Sequence, residues 1–154
     1  MRPELLPPAV DDRLSELISD AYDRLEHAET PTALTDHLAA ESGLAVEPGW
    51  LDSVFGSCDP TAAAWALRLA NDPGLVRRVQ PTRDELVEIV ERIMPMSPLW
   101  DREHEPYWTA LLQAHVPHPA AAALIYNPPD GADTASWDAQ AVVSHALSYR
   151  PIQL

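Results

Sequence analysis

The stretch HPAAAALIYNPPDG, His118 to Gly131, places a short helical run between prolines. A proline inside a helix removes one backbone N–H and clashes with the preceding turn. Pro117 and Pro119 on one side and Pro128 on the other therefore leave room for a short helix only, Ala120 to Tyr126. Pro128-Pro129-Asp130-Gly131 then reads as a firm turn. Tyr126 falls where that helix meets the turn. There its ring offers a rigid, amphipathic contact, the kind that dominates binding hot spots.

Reading outward, this helix is the third of four. Thr82-Arg83-Asp84-Glu85 is a T-x-x-E capping box. It opens a stripe of Leu86, Ile89, Val90 and Ile93 at helical spacing, ended by Pro95 and Pro98. A polar loop from Asp101 to Glu105 leads to a second helix with Trp108, Leu111, Leu112 and Val116 inward and Thr109 and Gln113 on its outer face. The fourth starts at about Ser136, buries Ala139, Val142, Val143, Ala146 and Leu147, and ends at Pro151. Before the break at Val79-Gln80-Pro81, residues 1–80 read as shorter helices. Asp11 to Ala28 carries a stripe of Leu14, Leu17, Ile18, Ala21, Tyr22 and Leu25. Thr30-Pro31 and Asp59-Pro60 each read as an N-cap followed by proline at the first helical position. Gly43 stops the helix that Thr30 opens, and a brief segment follows around Trp50, Leu51 and Val54. The Asp59 helix carries Trp65, Ala66 and Leu69. Nothing alternates as a strand would, so the expected class is all-α, divided into 1–80, of unknown role, and 81–154.

The chain has 154 residues, 46% of them hydrophobic, enough for a buried core. No run approaches the roughly 18 consecutive apolar residues of a membrane span. The opening MRPELLPPAVDDRLSEL has no apolar stretch resembling a signal peptide, so a cytoplasmic location is expected. A single cysteine, Cys58, leaves no internal disulfide to form. Net charge is −14, with acids in excess in both halves. Such a chain repels phosphate backbones, which argues against nucleic-acid binding; its acidity serves solubility or steers it toward a basic protein partner.

Residues 82–154 resemble the colicin/pyocin DNase immunity proteins. The resemblance rests on His118-Pro119 in register with Leu124-Ile125-Tyr126 and Pro128, and on the acidic cap and apolar stripe of TRDELVEIVERIM. It implies a distorted four-helix bundle with a short third helix, and inhibition by docking beside a nuclease active site. The family's serine and aspartate before Leu-Ile are Ala122 and Ala123 here, and its second tyrosine is Asn127. The second helix, acidic in the family, is mostly neutral from Pro106 onward.

Other constellations point less far. His115 and His118 have HxxH spacing, but Pro117 breaks the helical geometry that would align the rings, so no metal site is expected. Ser144 and His145 are adjacent on a helix and diverge, so they form no nucleophile–base pair. Cys58 before Asp59 reads as a small packed residue next to a cap. Trp65, Trp108 and Trp137 are expected in the core, and Trp100 in the Pro98-Leu99-Trp100 loop is a candidate for facing a partner. The expected function is therefore non-enzymatic and without cofactor: a toxin-immunity-like protein that neutralises a basic toxin or nuclease domain. Its candidate contacts are Tyr126, Asn127, Pro128, Asp130, Ala122, Ala123, Thr109 and Gln113. The alternative is an immunity-fold accessory or regulatory subunit of an enzyme complex. A third, a small-molecule-binding helical domain using the aromatic residues, would need a pocket.

Overall fold

The computed structural model describes residues 1–132 and 136–150, and among these every regular element is helical. The last helix ends at Ser148, within the described residues, and Pro151, expected to end it, lies outside them. Among the described residues no helix is long and apolar enough to cross a membrane. The chain forms two compact units, Pro8–Pro73 and Met1–Pro7 with Gly74–Leu154.

The Pro8–Pro73 unit holds α1 (Asp12–Glu26), α2 (Pro31–Ser42), α3 (Trp50–Val54) and α4 (Pro60–Asn71). α1 packs on α2 and α4, and α3 packs on α2. The core takes Leu14, Ile18 and Ala21 from α1, Leu34 and Leu38 from α2, and Ala63, Ala64 and Leu67 from α4. Leu17, Tyr22 and Leu25, also assigned to the α1 stripe, are only partly buried. On α4 the expected stripe is rotated: Trp65 is buried, but Ala66 is exposed and Leu69 half-buried. Small alanines at 63 and 64 let α4 lie close to its neighbours, so they, not Ala66, define its inner face. Asp59 caps α4 by accepting from the Ala62 N–H at 2.9 Å. Thr30 precedes Pro31 in extended conformation, yet its hydroxyl makes no capping bond. Gly43 ends α2 at φ +70°, a left-handed conformation that glycine adopts without steric cost.

The second unit holds α5 (Arg83–Ile93), α6 (Glu105–His115), α7 (Ala123–Tyr126) and α8 (Ala139–Ser148). α5 packs against α6 and α8, and α7 against α8. The four apolar residues read from the α5 sequence are all buried, as are Trp108, Leu111 and Leu112 of α6. Each fully buried aliphatic of this size contributes about 1.5–3 kcal/mol through removal from water. On α8 the stripe of Ala139, Val142, Val143 and Ala146 is buried, while Leu147 stays 37% exposed. α7 is a single turn, shorter than the Ala120–Tyr126 run that the prolines would permit. The residues before it close with tighter i to i−3 bonds, Ala123 N–H to Ala120 O and Leu124 N–H to Ala121 O.

Residues 1–7 are built into this unit. Leu5 is 1% exposed, and its carbonyl accepts from the buried Tyr107 hydroxyl at 3.2 Å. Arg2 clamps Glu85 with Nε to Oε1 and Nη2 to Oε2, each 2.8 Å. The same Glu85 closes the capping box, accepting from the Thr82 N–H while Thr82 Oγ1 accepts from the Glu85 N–H. Arg2, the Thr82 amide and further hydrogen bonds outweigh burial and hold the Glu85 carboxyl well below the usual carboxylate range.

Candidate protein-binding site

Tyr126 closes α7 with its side chain 53% exposed, one of the more accessible large apolar groups. What holds it in place lies one layer below. Leu124 and Ile125 are buried, fixing the inner face of the turn. The Leu124 carbonyl accepts from the Trp137 indole at 2.8 Å. On the other flank the Gln113 amide forms a two-ended clamp. Its Nε2 donates to the His118 carbonyl at 2.7 Å and its Oε1 accepts from the Ala121 N–H at 3.0 Å. Gln113, expected on the outer face of α6, thus ties α6 to the approach to α7. Its amide is engaged within the unit.

The other expected contacts differ in exposure. Ala123, Asn127 and Asp130 are exposed; Ala122, Pro128 and Thr109 are half-buried. Asn127 continues α7 by donating its backbone N–H to Ala123 O at 2.9 Å. The turn that follows closes with Ala132 N–H to Pro129 O at 3.0 Å. Gly131 at φ +83° takes its third position, where a left-handed backbone is required.

One functional-looking residue was not singled out in the sequence. Glu105 opens α6, and its Oε1 accepts from the Tyr126 hydroxyl at 3.2 Å. Its Oε2 lies 3.5 Å from the Trp100 indole nitrogen, a long hydrogen bond. Trp100 is 40% exposed, as the loop position suggested, beside exposed Leu99 and Met96. Partial burial, with the Glu105 charge and hydrogen bond, raises the Tyr126 phenol above its ordinary pKa, so it remains a neutral donor. Asp101 fixes the loop that carries Trp100. Its Oδ2 accepts from the Trp108 indole at 3.0 Å, its Oδ1 faces His104 Nδ1 at 3.0 Å, and its N–H donates to Arg92 O at 2.9 Å. Burial opposes ionisation of Asp101, but the Trp108 and His104 bonds prevail and its pKa is lowered.

The histidines turn to separate partners. His115 Nε2 faces the Val76 carbonyl at 2.8 Å and Nδ1 faces Gln80 Oε1 at 3.1 Å. His118 Nδ1 accepts from the Ala120 N–H at 3.1 Å, and its ring meets Tyr149 edge-on at 4.8 Å. No group of three or more His, Cys, Asp or Glu among the described residues is arranged to hold a metal. The Ser144 hydroxyl donates to Gln140 O at 2.6 Å and accepts from Arg83 Nη2 at 2.6 Å. Trp137, expected in the core, is half-buried. In the Pro8–Pro73 unit, half-buried Cys58 helps line an open cavity of about 530 Å³ with Tyr22, Phe55, Asp23, Glu26 and Asp59.

No curated protein and no solved structure matches the chain. Residues 80–151 match the family model described as colicin immunity protein / pyocin immunity protein, the family that the sequence resembles from Thr82 onward.

Proposed function

We propose that the protein is an immunity-like inhibitor that binds and neutralises a basic toxin or nuclease domain through α7 and the turn after it. The single observation that carries this reading is the display of Tyr126. An exposed aromatic stands on a one-turn helix whose inner residues are buried, whose Leu124 carbonyl is held by Trp137 and whose approach is clamped by Gln113 at Ala121. Little conformational freedom remains to be lost there on association. The immunity-protein match over residues 80–151 supports a toxin as the class of partner, and the net charge of −14 suits a basic one. Asn127, Pro128, Asp130, Ala122, Ala123 and Thr109 would surround the ring. Neutralisation would follow from occluding the toxin, with no catalytic step.

Co-purification with the toxin-like product of a neighbouring gene tests the reading. Tyr126→Ala should weaken that complex by at least 30-fold, the effect of losing about 2 kcal/mol at a hot spot. If no neighbouring product binds, or if the substitution leaves affinity unchanged, the immunity reading fails. A second reading, an accessory subunit of an enzyme complex, is favoured by Ala123. It is exposed where the family carries aspartate, and it leaves a flat apolar face suited to constitutive assembly. Co-purification with a biosynthetic enzyme instead of a toxin would select it.

A further inference from the structure

We propose that Glu105, flanked by Trp100 and Tyr126, forms a seat for a guanidinium group: an arginine side chain of the protein partner. The partner's identity rests on the immunity-like reading; the seat itself rests on geometry. Two aromatic side chains from separate elements, the α5–α6 loop and α7, converge on one carboxylate, with Tyr126 on Oε1 and Trp100 facing Oε2. Both rings are substantially exposed, at 40% and 53%. Among the described residues, no basic side chain forms an ion pair with Glu105. Its present donors are neutral, and the bonds are long at 3.2 and 3.5 Å. A charged donor makes a shorter bond, roughly twice as strong as a neutral one, so an arriving guanidinium can replace them. Its planar fork matches both carboxylate oxygens, and its faces stack on aromatic rings in a way that an ammonium does not. Asp101 holds the loop beneath Trp100, so the seat is largely formed before anything binds. The seat would provide a carboxylate beside Tyr126 where residues 122 and 123 are alanine.

The probe is the peptide acetyl-Gly-Arg-Gly-amide, titrated at low salt into ¹⁵N-labelled full-length protein. The expected result is saturable shifts of the Trp100 indole N–H and of the amides from Leu124 to Asn127. Binding of the citrulline peptide, neutral and nearly the same shape, should be at least threefold weaker. Glu105→Gln should abolish the arginine response while the buried Trp108 indole keeps its resonance, reporting an intact fold. Tyr126→Phe keeps the ring, frees Oε1 and should bind the arginine peptide at least as well as wild type. Equal response to both peptides, or an unchanged titration in Glu105→Gln, overturns the seat. The two proposals fail separately. A toxin bound equally by wild type and Glu105→Gln removes the seat and leaves the immunity reading. An arginine response with no toxin partner does the reverse.

Discussion

At the residue scale, Glu85 concentrates more interactions than its place in a helix cap requires. An ordinary capping box satisfies two backbone donors at a helix start. Here the same carboxylate also receives the Arg2 guanidinium and the Arg2 backbone N–H. Its folded-state pKa is therefore depressed, with the Arg2 side chain as the main cause and the Thr82 amide next. A depressed carboxylate stabilises the fold at pH above its unfolded value, and that contribution is lost as pH falls toward the folded value. Glu85→Gln should accordingly cost about 1 kcal/mol at pH 7, since the Arg2 side of the pair is open to solvent and partly screened. The gap between wild type and variant should narrow as the pH is lowered below about 4, the ordinary range for glutamate. Urea unfolding of both proteins at pH 7 and pH 3 measures this, and a pH-independent gap would show that charge is not what Glu85 contributes.

At the element scale, α1 ends in a way its composition disguises. The amphipathic stripe runs on toward Ala28, yet the helix stops at Glu26. The Ala28 N–H reaches Leu25 O and the Glu29 N–H reaches Arg24 O, which together make a Schellman motif. That motif needs a left-handed residue, and the position is held by alanine at φ +65°. An L-residue there costs roughly 1–2 kcal/mol that glycine avoids, less what glycine loses in chain entropy. Ala28→Gly should therefore raise the stability of the Pro8–Pro73 unit by up to about 1 kcal/mol, read as a higher urea midpoint; a lower midpoint would mean that the φ value carries no strain. The same contrast governs what could be read in advance. The α5 cap and stripe, the Asp59 cap and the turn at Gly131 depend on neighbours in sequence, and they were legible there. The extent of α7, the inward use of Gln113 and the role of Glu105 depend on contacts between elements. Gln113 lies on a helix face that looks polar and outward until the chain returns at His118 and Ala121 to occupy its amide. Glu105 looks like a first-turn acid favoured by the helix dipole, and only the approach of Tyr126 and Trp100 gives it another reading.

At the scale of the whole molecule, the unit that carries the candidate site is discontinuous in sequence. Met1–Pro7 belongs to it, the chain departs for Pro8–Pro73, and it returns at Gly74. Hydropathy does not announce this, because PELL is too short to show a period and its partners lie about a hundred residues away. The consequence is energetic. Leu5 is nearly solvent-free, and its carbonyl satisfies a buried tyrosine hydroxyl. Leaving that hydroxyl without an acceptor would itself cost about 1–3 kcal/mol. A protein reduced to the family-matched residues 80–151 would lack both contacts. The cleaner perturbation keeps the full chain: Leu5→Ala removes a buried side chain but retains the backbone acceptor, and large-to-small changes of this kind cost about 2–5 kcal/mol. Amide hydrogen exchange then gives a located answer. Protection should fall in α5 and α6, the helices that hold Glu85 and Tyr107, by roughly 30-fold or more for a loss of 2 kcal/mol. If those amides kept their wild-type protection, residues 1–7 would merely cover this unit. If protection falls as expected, the surface carrying Tyr126 and Glu105 depends on a segment that lies outside the family match, and a chain cut to residues 80–151 would lose that surface through unfolding.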